Sequence, residues 1–216
     1  MILKLKRDQV DILEKYASEY ERVCGIDEVG RGPIAGPVVA CAVIMGDEKI
    51  EGIKDSKKLT DKKRRELAKL IQENSLAIGF GIVDHTIIDE INIKEATHLA
   101  MKNALESLSN KEGRPIKPDL ALIDAETIDT DIDQISIISG DDQVYSIACA
   151  SILAKIYRDD IMIQYSKDYP GYGFENHKGY GTKKHYLAID EYGISEIHRK
   201  SFMKKYYEKK SELNKG

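Results

Sequence analysis

Two apolar runs separated by a turn rich in glycine and proline constrain this chain more than any other feature. Val23–Val29 reads V-C-G-I-D-E-V and Val38–Met45 reads V-V-A-C-A-V-I-M. Between them stand Gly30, Arg31, Gly32, Pro33, Gly36 and Pro37. Runs of this length bounded by turn residues read as strand, loop, strand. Asp27 and Glu28 fall where the first strand meets the loop. Glycines let a backbone approach a ligand closely, and Arg31 between two of them can meet a phosphate. Acids beside such a loop would repel that phosphate unless a cation lay between, which points to a metal site. Taken alone, an Asp-Glu pair is more often solvated surface and a Gly-Pro stretch more often a plain turn. No G-x-G-x-x-G or G-K-[ST] spacing supports dinucleotide or P-loop binding.

At 216 residues the chain fits one large domain, or one with a small appendage. Its 42% hydrophobic and 32% charged residues belong to a globular protein. No apolar stretch reaches membrane-spanning length, and the N-terminus lacks a signal peptide's apolar core. Three scattered cysteines without a C-x-x-C (Cys24, Cys41, Cys149) imply a reducing cytoplasm and neither a disulfide framework nor a zinc site. The net charge of -4 hides an asymmetry, +5 from Lys178 onward and -9 before it. That suits cations held in one place and a polyanion in another, although a solvated lysine-rich helix would look the same.

Hydrophobic periodicity predicts a leading helix over 8–21, strands over 23–29 and 38–45, and a helix over 61–73 capped by Thr60, with Leu67, Leu70 and Ile71 inward. A strand over 76–83 follows; its Gly79 and Gly81 let something lie close against it. Helices are expected over 87–91 and 94–108, the latter with Ala96, Leu99, Ala100, Ala104 and Leu108 on one side. Strands over 120–123 and 135–138 come next, then a long helix over 144–165 whose small-residue start suits packing on the sheet centre. A Gly/Tyr/His loop spans 169–182, and helices cover 183–192 and 202–213. The expected fold is α/β, a mixed central sheet of five strands flanked by helices, with a helical C-terminal region. Its parts are a leading helix over 1–22, a catalytic domain over 23–182 and a C-terminal helical region over 183–216 packed on it.

Two further acids end or precede central elements: Asp124 closes L-A-L-I-D, and Asp141 precedes the small-residue helix. Either alone could be a turn or cap residue. Together with Asp27 and Glu28 they could converge as oxygen ligands for two divalent cations suited to in-line attack at phosphorus. Neighbours on a regular strand face opposite ways. Asp27 and Glu28 can therefore share a site only if the strand distorts or Glu28 reaches round its edge.

Across nearly all of 24–202 the sequence resembles the ribonuclease HII family. The resemblance rests on G-I-D-E-V-G-R-G-P-I-A-G-P, D-S-K-K-L at 55–59, the I-D-E-I-N-I to A-T-H-L-A-M run at 88–101 and L-I-D at 122–124. It continues through G-D and I-A-C-A-S-I-L-A-K-I-Y-R-D at 140–159, Y-G-F-E-N-H-K-G-Y-G-T at 172–182 and H-R-K-S-F at 198–202. It implies a ribonuclease H-like fold and a metal-dependent endonuclease, using Mg²⁺ or Mn²⁺. Such an enzyme cleaves the RNA strand of RNA–DNA hybrids and nicks 5′ of single ribonucleotides in duplex DNA, leaving 3′-hydroxyl and 5′-phosphate ends. Asp27, Glu28, Asp124 and Asp141 match the family's catalytic, metal-binding acids. Gly30, Arg31, Gly32 and Tyr180 match the parts that read the RNA-to-DNA junction, and Ser56 and Lys57 fall in a motif that contacts phosphate. A cytoplasmic monomer without an evident clamp-binding motif or membrane association is expected. Ala125 and Ser139 depart from the family's glycine and lysine. Tyr172 and Phe174 read as rings under a loop, and His177, His185 and His198 as structural histidines. The rival readings are a non-catalytic hybrid-binding protein and another ribonuclease H-like nuclease such as a junction resolvase. Four intact acids argue against the first, and the G-R-G and G-Y-G-T loops against the second.

Overall fold

The computed structural model describes residues 2–3, 15–53 and 60–213. Six strands form one mixed sheet in the order β1-β6-β5-β2-β3-β4. They are β1 (Ile2–Leu3), β2 (Val23–Val29), β3 (Val38–Met45), β4 (Ser75–Val83), β5 (Leu120–Asp124) and β6 (Asp133–Ile137). β2, β3 and β4 pair antiparallel, while β5 runs parallel to β2, and β6 and β1 continue in parallel. Helix α1 (Asp61–Asn74) and helix α2 (His85–Glu106) flank β4 in sequence. After β6 come α3 (Gly140–Gln143), α4 (Tyr145–Asp168), α5 (Phe174–His177), α6 (Lys183–Tyr192) and α7 (Lys200–Leu213).

Small residues set how closely the helices approach the sheet. A β-carbon on Gly79 or Gly81 would lie 2.2 or 1.9 Å from the Ala104 or Ala100 carbonyl oxygen of α2. On the opposite face a β-carbon on Gly25 would lie 2.2 Å from the Ser146 backbone of α4. Alternate residues of β2 and β3 therefore feed two cores. Cys24, Ile26, Ala40 and Ala42 pack with Ala100, Met101 and Ala104 of α2. Cys41 and Val43 pack with Cys149, Leu153 and the Leu67 and Ile71 of α1.

The capping expected at Thr60 is present, its hydroxyl accepting from Lys63 N at 3.3 Å. The two helices expected over 87–91 and 94–108 are the halves of α2, which kinks at Asn92 (φ 70°, ψ 166°). The Asn92 side-chain Oδ1 accepts from Lys94 N and Glu95 N, restarting the helix as a cap would. Leu70 and Leu99, expected inward, are 40% and 37% exposed; Ala68 and Met101 take the buried positions instead.

Of the helix expected over 8–21, residues 8–14 lie outside the described residues; 15–17 form a helical turn and 18–21 a turn and bend. Ile2 and Leu3 add a sixth strand to the five expected, paired with Ser136 and Ile137. The C-terminal region shares a core with the rest: Ala188, Ile189, Ile197 and Met203 pack with Ile34, Ala35, Met162, Tyr172 and Phe174. Asp89 fastens α7 from α2 by accepting from Lys200 N at 2.8 Å and Ser201 N at 2.9 Å. Among the described residues no helix is long and apolar enough to cross a membrane.

Candidate active site

Asp27 and Glu28 stand at the end of β2, where the parallel ladder to β5 has stopped at Ile26 and Ile123. The ladder to β3 runs unbroken from Cys24 to Val29. The strand therefore does not distort, and the two side chains leave opposite faces. Asp27 is buried on the α4 side, where Ser151 donates a hydrogen bond to it, and its Oδ1 accepts from Glu28 N at 2.7 Å. Asp124 lies on that same side, and its Oδ1 accepts from Gly140 N at 2.5 Å. Asp141 is the next residue, in the first turn of α3. Glu28 leaves on the α2 side, past the end of the β2–β5 ladder.

The acids feel one another. Burial, then Glu28, then Asp124 drive Asp27 well above the usual carboxylate range. Burial raises Glu28 too, with Arg31 opposing and Asp124 adding to the rise. Among the described residues no three His, Cys, Asp or Glu side chains form a ready-made metal-holding group. The site is thus a set of neighbouring carboxylates and not a closed ligand cage. It nevertheless fits a hard divalent cation. The ligands are all oxygens, and Glu28 Oε2 is buried with no hydrogen-bond partner among the described residues. Asp27 and Glu28 are also held where positive charge would relieve burial and mutual repulsion.

A fifth carboxylate, missed in the sequence, completes this surface. Glu126 accepts from Arg31 Nη1 at 2.7 Å and meets His98 Nε2 at 2.9 Å, while the same Arg31 nitrogen lies 3.5 Å from Glu28. Burial would raise Glu126, but the hydrogen bonds from His98 and Arg31 and the Arg31 charge hold it below its ordinary pKa. Ala125, which places Glu126, takes φ 50°. It thus keeps the left-handed turn that a glycine would adopt without strain.

The loop over 30–37 is held from beneath by two fully buried arginines. Arg199 donates to the carbonyls of Gly36 (2.9 Å), Arg31 (3.0 Å) and Gly30 (2.6 Å). Arg158 donates to those of Pro37 (2.9 Å), Ala35 (3.3 Å) and Lys178 (2.9 Å). Burial pulls Arg158 down to about 10 and Arg199 to about 9, which leaves both charged at neutral pH. The peptide planes follow from this. In a trans peptide the N–H opposes the C=O, so the Arg31 and Gly32 amides point away from Arg199. Tyr180 meets the loop there: a β-carbon on Gly32 would lie 3.5 Å from its ring, which is 42% exposed. Ile34 N donates to Gly179 O at 2.9 Å, joining the two loops. Sequence reasoning counted Arg199 among the basic C-terminal charges. Being buried, it adds nothing to that surface, and Lys210 is paired with Asp190. Lys183 and Lys184 are exposed at the start of α6. Ser56 and Lys57 lie outside the described residues.

The rings of Tyr172 and Phe174 stack with centroids 5.3 Å apart inside the C-terminal core, as expected. His185 and His198 are buried there too, and burial lowers both to about 4. Their ring protons should therefore show no titration by NMR as the pH falls from 8 to about 5.5; a midpoint near 6.5 would mean water reaches the rings. A depressed folded pKa makes the stability from the neutral rings full above about 6.5, lost as pH falls through about 4.

The chain matches the family model described as Ribonuclease HII over residues 24–205. It is similar to ribonuclease HII of Clostridioides difficile (strain 630), 54% identical over 193 residues covering 88% of this chain and 73% of the relative. For ribonuclease HII of Caldicellulosiruptor bescii the identity is 50% over 207 residues, 94% and 98% of the two chains. The crystal structure of ribonuclease H2 from Pyrococcus horikoshii OT3 superposes with a TM-score of 0.70 at 26% identity, over 83% of this chain and 93% of that one. Ribonuclease HII of Archaeoglobus fulgidus, solved in complex with PCNA, shares the fold with a TM-score of 0.70 at 23% identity, over 83% and 94%.

Proposed function

The chain belongs to the ribonuclease HII family, and from that premise we propose that it nicks 5′ of single ribonucleotides in duplex DNA as well as cutting RNA–DNA hybrids. Ribonuclease H endonuclease activity, a hydrolysis of phosphodiester bonds, comes with family membership. The finer reading is supported by one observation above all. The outward amides of Arg31 and Gly32 and the exposed ring of Tyr180 share one edge, directly beyond the Asp27–Glu28 strand end. DNA lacks the 2′-hydroxyl, so backbone groups and a ring held close to the sugar are what can distinguish RNA from it.

Asp27, Glu28, Asp124 and Asp141 would hold Mg²⁺ or Mn²⁺. Such a cation would polarise the scissile phosphate and supply a nucleophilic water, leaving 3′-hydroxyl and 5′-phosphate ends. The chain's own residues do the orienting. Ser151 and the Glu28 amide fix the Asp27 carboxylate, and the Gly140 amide fixes that of Asp124. Arg31, exchanging Glu126 for a backbone phosphate, would hold the strand. Tyr180 would pack on the deoxyribose after the ribonucleotide, where an added 2′-hydroxyl would crowd it. Lys183 and Lys184 would contact phosphates further along.

Tyr180→Ala tests this reading. Cleavage of a duplex with one embedded ribonucleotide should fall by about fivefold or more, the loss of one stacking contact of about 1–3 kcal/mol. The preference for the junction over continuous RNA should fall with it. Unchanged rate and preference would place the junction reader elsewhere. Mapping product ends on the wild-type reaction, with and without Mg²⁺ or Mn²⁺, tests the chemistry.

A further inference from the structure

Beneath Tyr180 runs a buried chain of hydrogen bonds whose direction can be worked out atom by atom. Ser195 N donates to His198 Nδ1 at 2.9 Å, so that nitrogen carries no proton. The His198 proton therefore sits on Nε2, which lies 3.0 Å from His185 Nε2. His185 Nε2 must accept there, leaving the His185 proton on Nδ1, 2.9 Å from the carbonyl oxygen of Tyr180. Next to it, Gly179 N donates to His177 Nδ1 at 3.2 Å, so His177 donates from Nε2 to the Tyr172 carbonyl at 2.8 Å. The His177 ring stacks on His185 with centroids 4.3 Å apart, and Phe174 meets His185 edge to face. Every imidazole nitrogen in the group is used, and only one tautomer of each ring satisfies all of them.

The two ends of this relay matter more than its middle. One end fixes the peptide plane of Tyr180. The other is residue 198, which bridges to Ala35 and immediately precedes Arg199, the residue that holds the Gly30 and Arg31 carbonyls. Buried polar groups cost stability unless fully paired, and apolar rings would fill the same space without that risk. What a one-way relay adds is orientation. We propose that His185 and His198 are positioning residues for junction recognition, aiming Tyr180 at the sugar beside Gly32. This rests on the reading that Tyr180 and the Gly30–Gly32 loop recognise the junction.

The test compares two replacements that remove His198 equally but differ in one donor. His198→Gln keeps an amide N–H near the Nε2 position; His198→Met keeps volume without it. Rates are measured on a single-ribonucleotide duplex and on a continuous hybrid, beside Tm, with Tyr172→Phe as a core control that loses only its bond to Gly193 O. The Met variant should lose junction preference by about fivefold or more, the effect of one lost neutral hydrogen bond. The Gln variant should stay within about twofold of wild type, and Tyr172→Phe should lower Tm alone. If the Met variant does not fold, His185→Asn, whose amide still reaches the Tyr180 carbonyl, against His185→Leu makes the same comparison. Preference retained in the Met or Leu variant, or lost in step with Tm across all variants including Tyr172→Phe, overturns the inference. Tyr180→Ala separates the two failures: if it too keeps the preference, the underlying reading falls; if it loses the preference while the Met variant does not, only the relay falls.

Discussion

Asp27→Asn should cut cleavage by about a thousandfold and, in the metal-free protein, raise the melting temperature. The loss follows from removing one of the carboxylates that would hold the cation. Metal stabilisation of a phosphoryl transition state is worth several kcal/mol, and each 1.36 kcal/mol is tenfold in rate. The gain follows from burial. Asp27 is almost fully buried, beside Glu28 and Asp124, and its carboxyl is driven well above the ordinary 3.8. Folding therefore disfavours its charged form. A raised folded pKa means that the native state binds more protons than the unfolded one above 3.8, so Asp27 costs stability increasingly as pH rises through that window. Asparagine escapes this while its carbonyl can still accept from Glu28 N. The Tm difference between variant and wild type should be near zero at pH 3.5, open as pH rises and level off once Asp27 is ionised. A variant less stable than wild type at pH 7 without metal would show that the carboxylate is compensated in the free protein. Retained activity would remove Asp27 from the chemistry.

Arg199→Met should be the most destabilising single change near the site. It leaves the carbonyls of Gly30, Arg31 and Gly36 without their donor, and an orphaned buried acceptor costs about 1–3 kcal/mol. Three such acceptors, partly relaxed, bring the expected loss to about 3–5 kcal/mol. For a chain of this size that lowers Tm by roughly 6–20 °C. Arg158→Met should behave alike, because it strands three other carbonyls, whereas Lys204→Met on the exposed face of α7 should change little. Urea denaturation of the three variants decides it: a loss under about 1 kcal/mol for Arg199→Met would mean that water can replace the guanidinium.

The elements that declare themselves by a local pattern were legible in the sequence. β3 is a continuous apolar run and β2 one broken only by Asp27 and Glu28, both bounded by turn residues, and the Thr60 cap, the Gly79 and Gly81 contacts and the small-residue face of α4 follow from side-chain size and position. The two halves of α2 were readable as separate helices over 87–91 and 94–108, and the structure joins them across the kink at Asn92. What stayed hidden depends on partners far along the chain. Arg158 and Arg199 look like ordinary charges, because their acceptors are carbonyls that a sequence does not display. A signal existed all the same. A Gly- and Pro-rich loop between two buried strands has carbonyls with no ladder to join, so donors must come from elsewhere, and arginine carries the most. Glu126 was invisible for the same reason, since its role depends on the turn at Ala125 and on His98 from α2. The two-residue β1 is too short to carry any pattern.

The braces under the 30–37 loop also set an order in time. Gly30 and Arg31 are made early, yet the guanidinium that receives their carbonyls arrives 169 and 168 residues later. Closing so long a loop is the slow, non-local kind of event. On a ribosome, where synthesis runs at about 5–20 residues per second, the strand end bearing Asp27 and Glu28 can pair with β3 many seconds before Arg199 exists. The edge that would meet nucleic acid cannot take its final shape until residue 199 has been made. A chain stopped before it would carry the carboxylates of the candidate site without the frame that aims them.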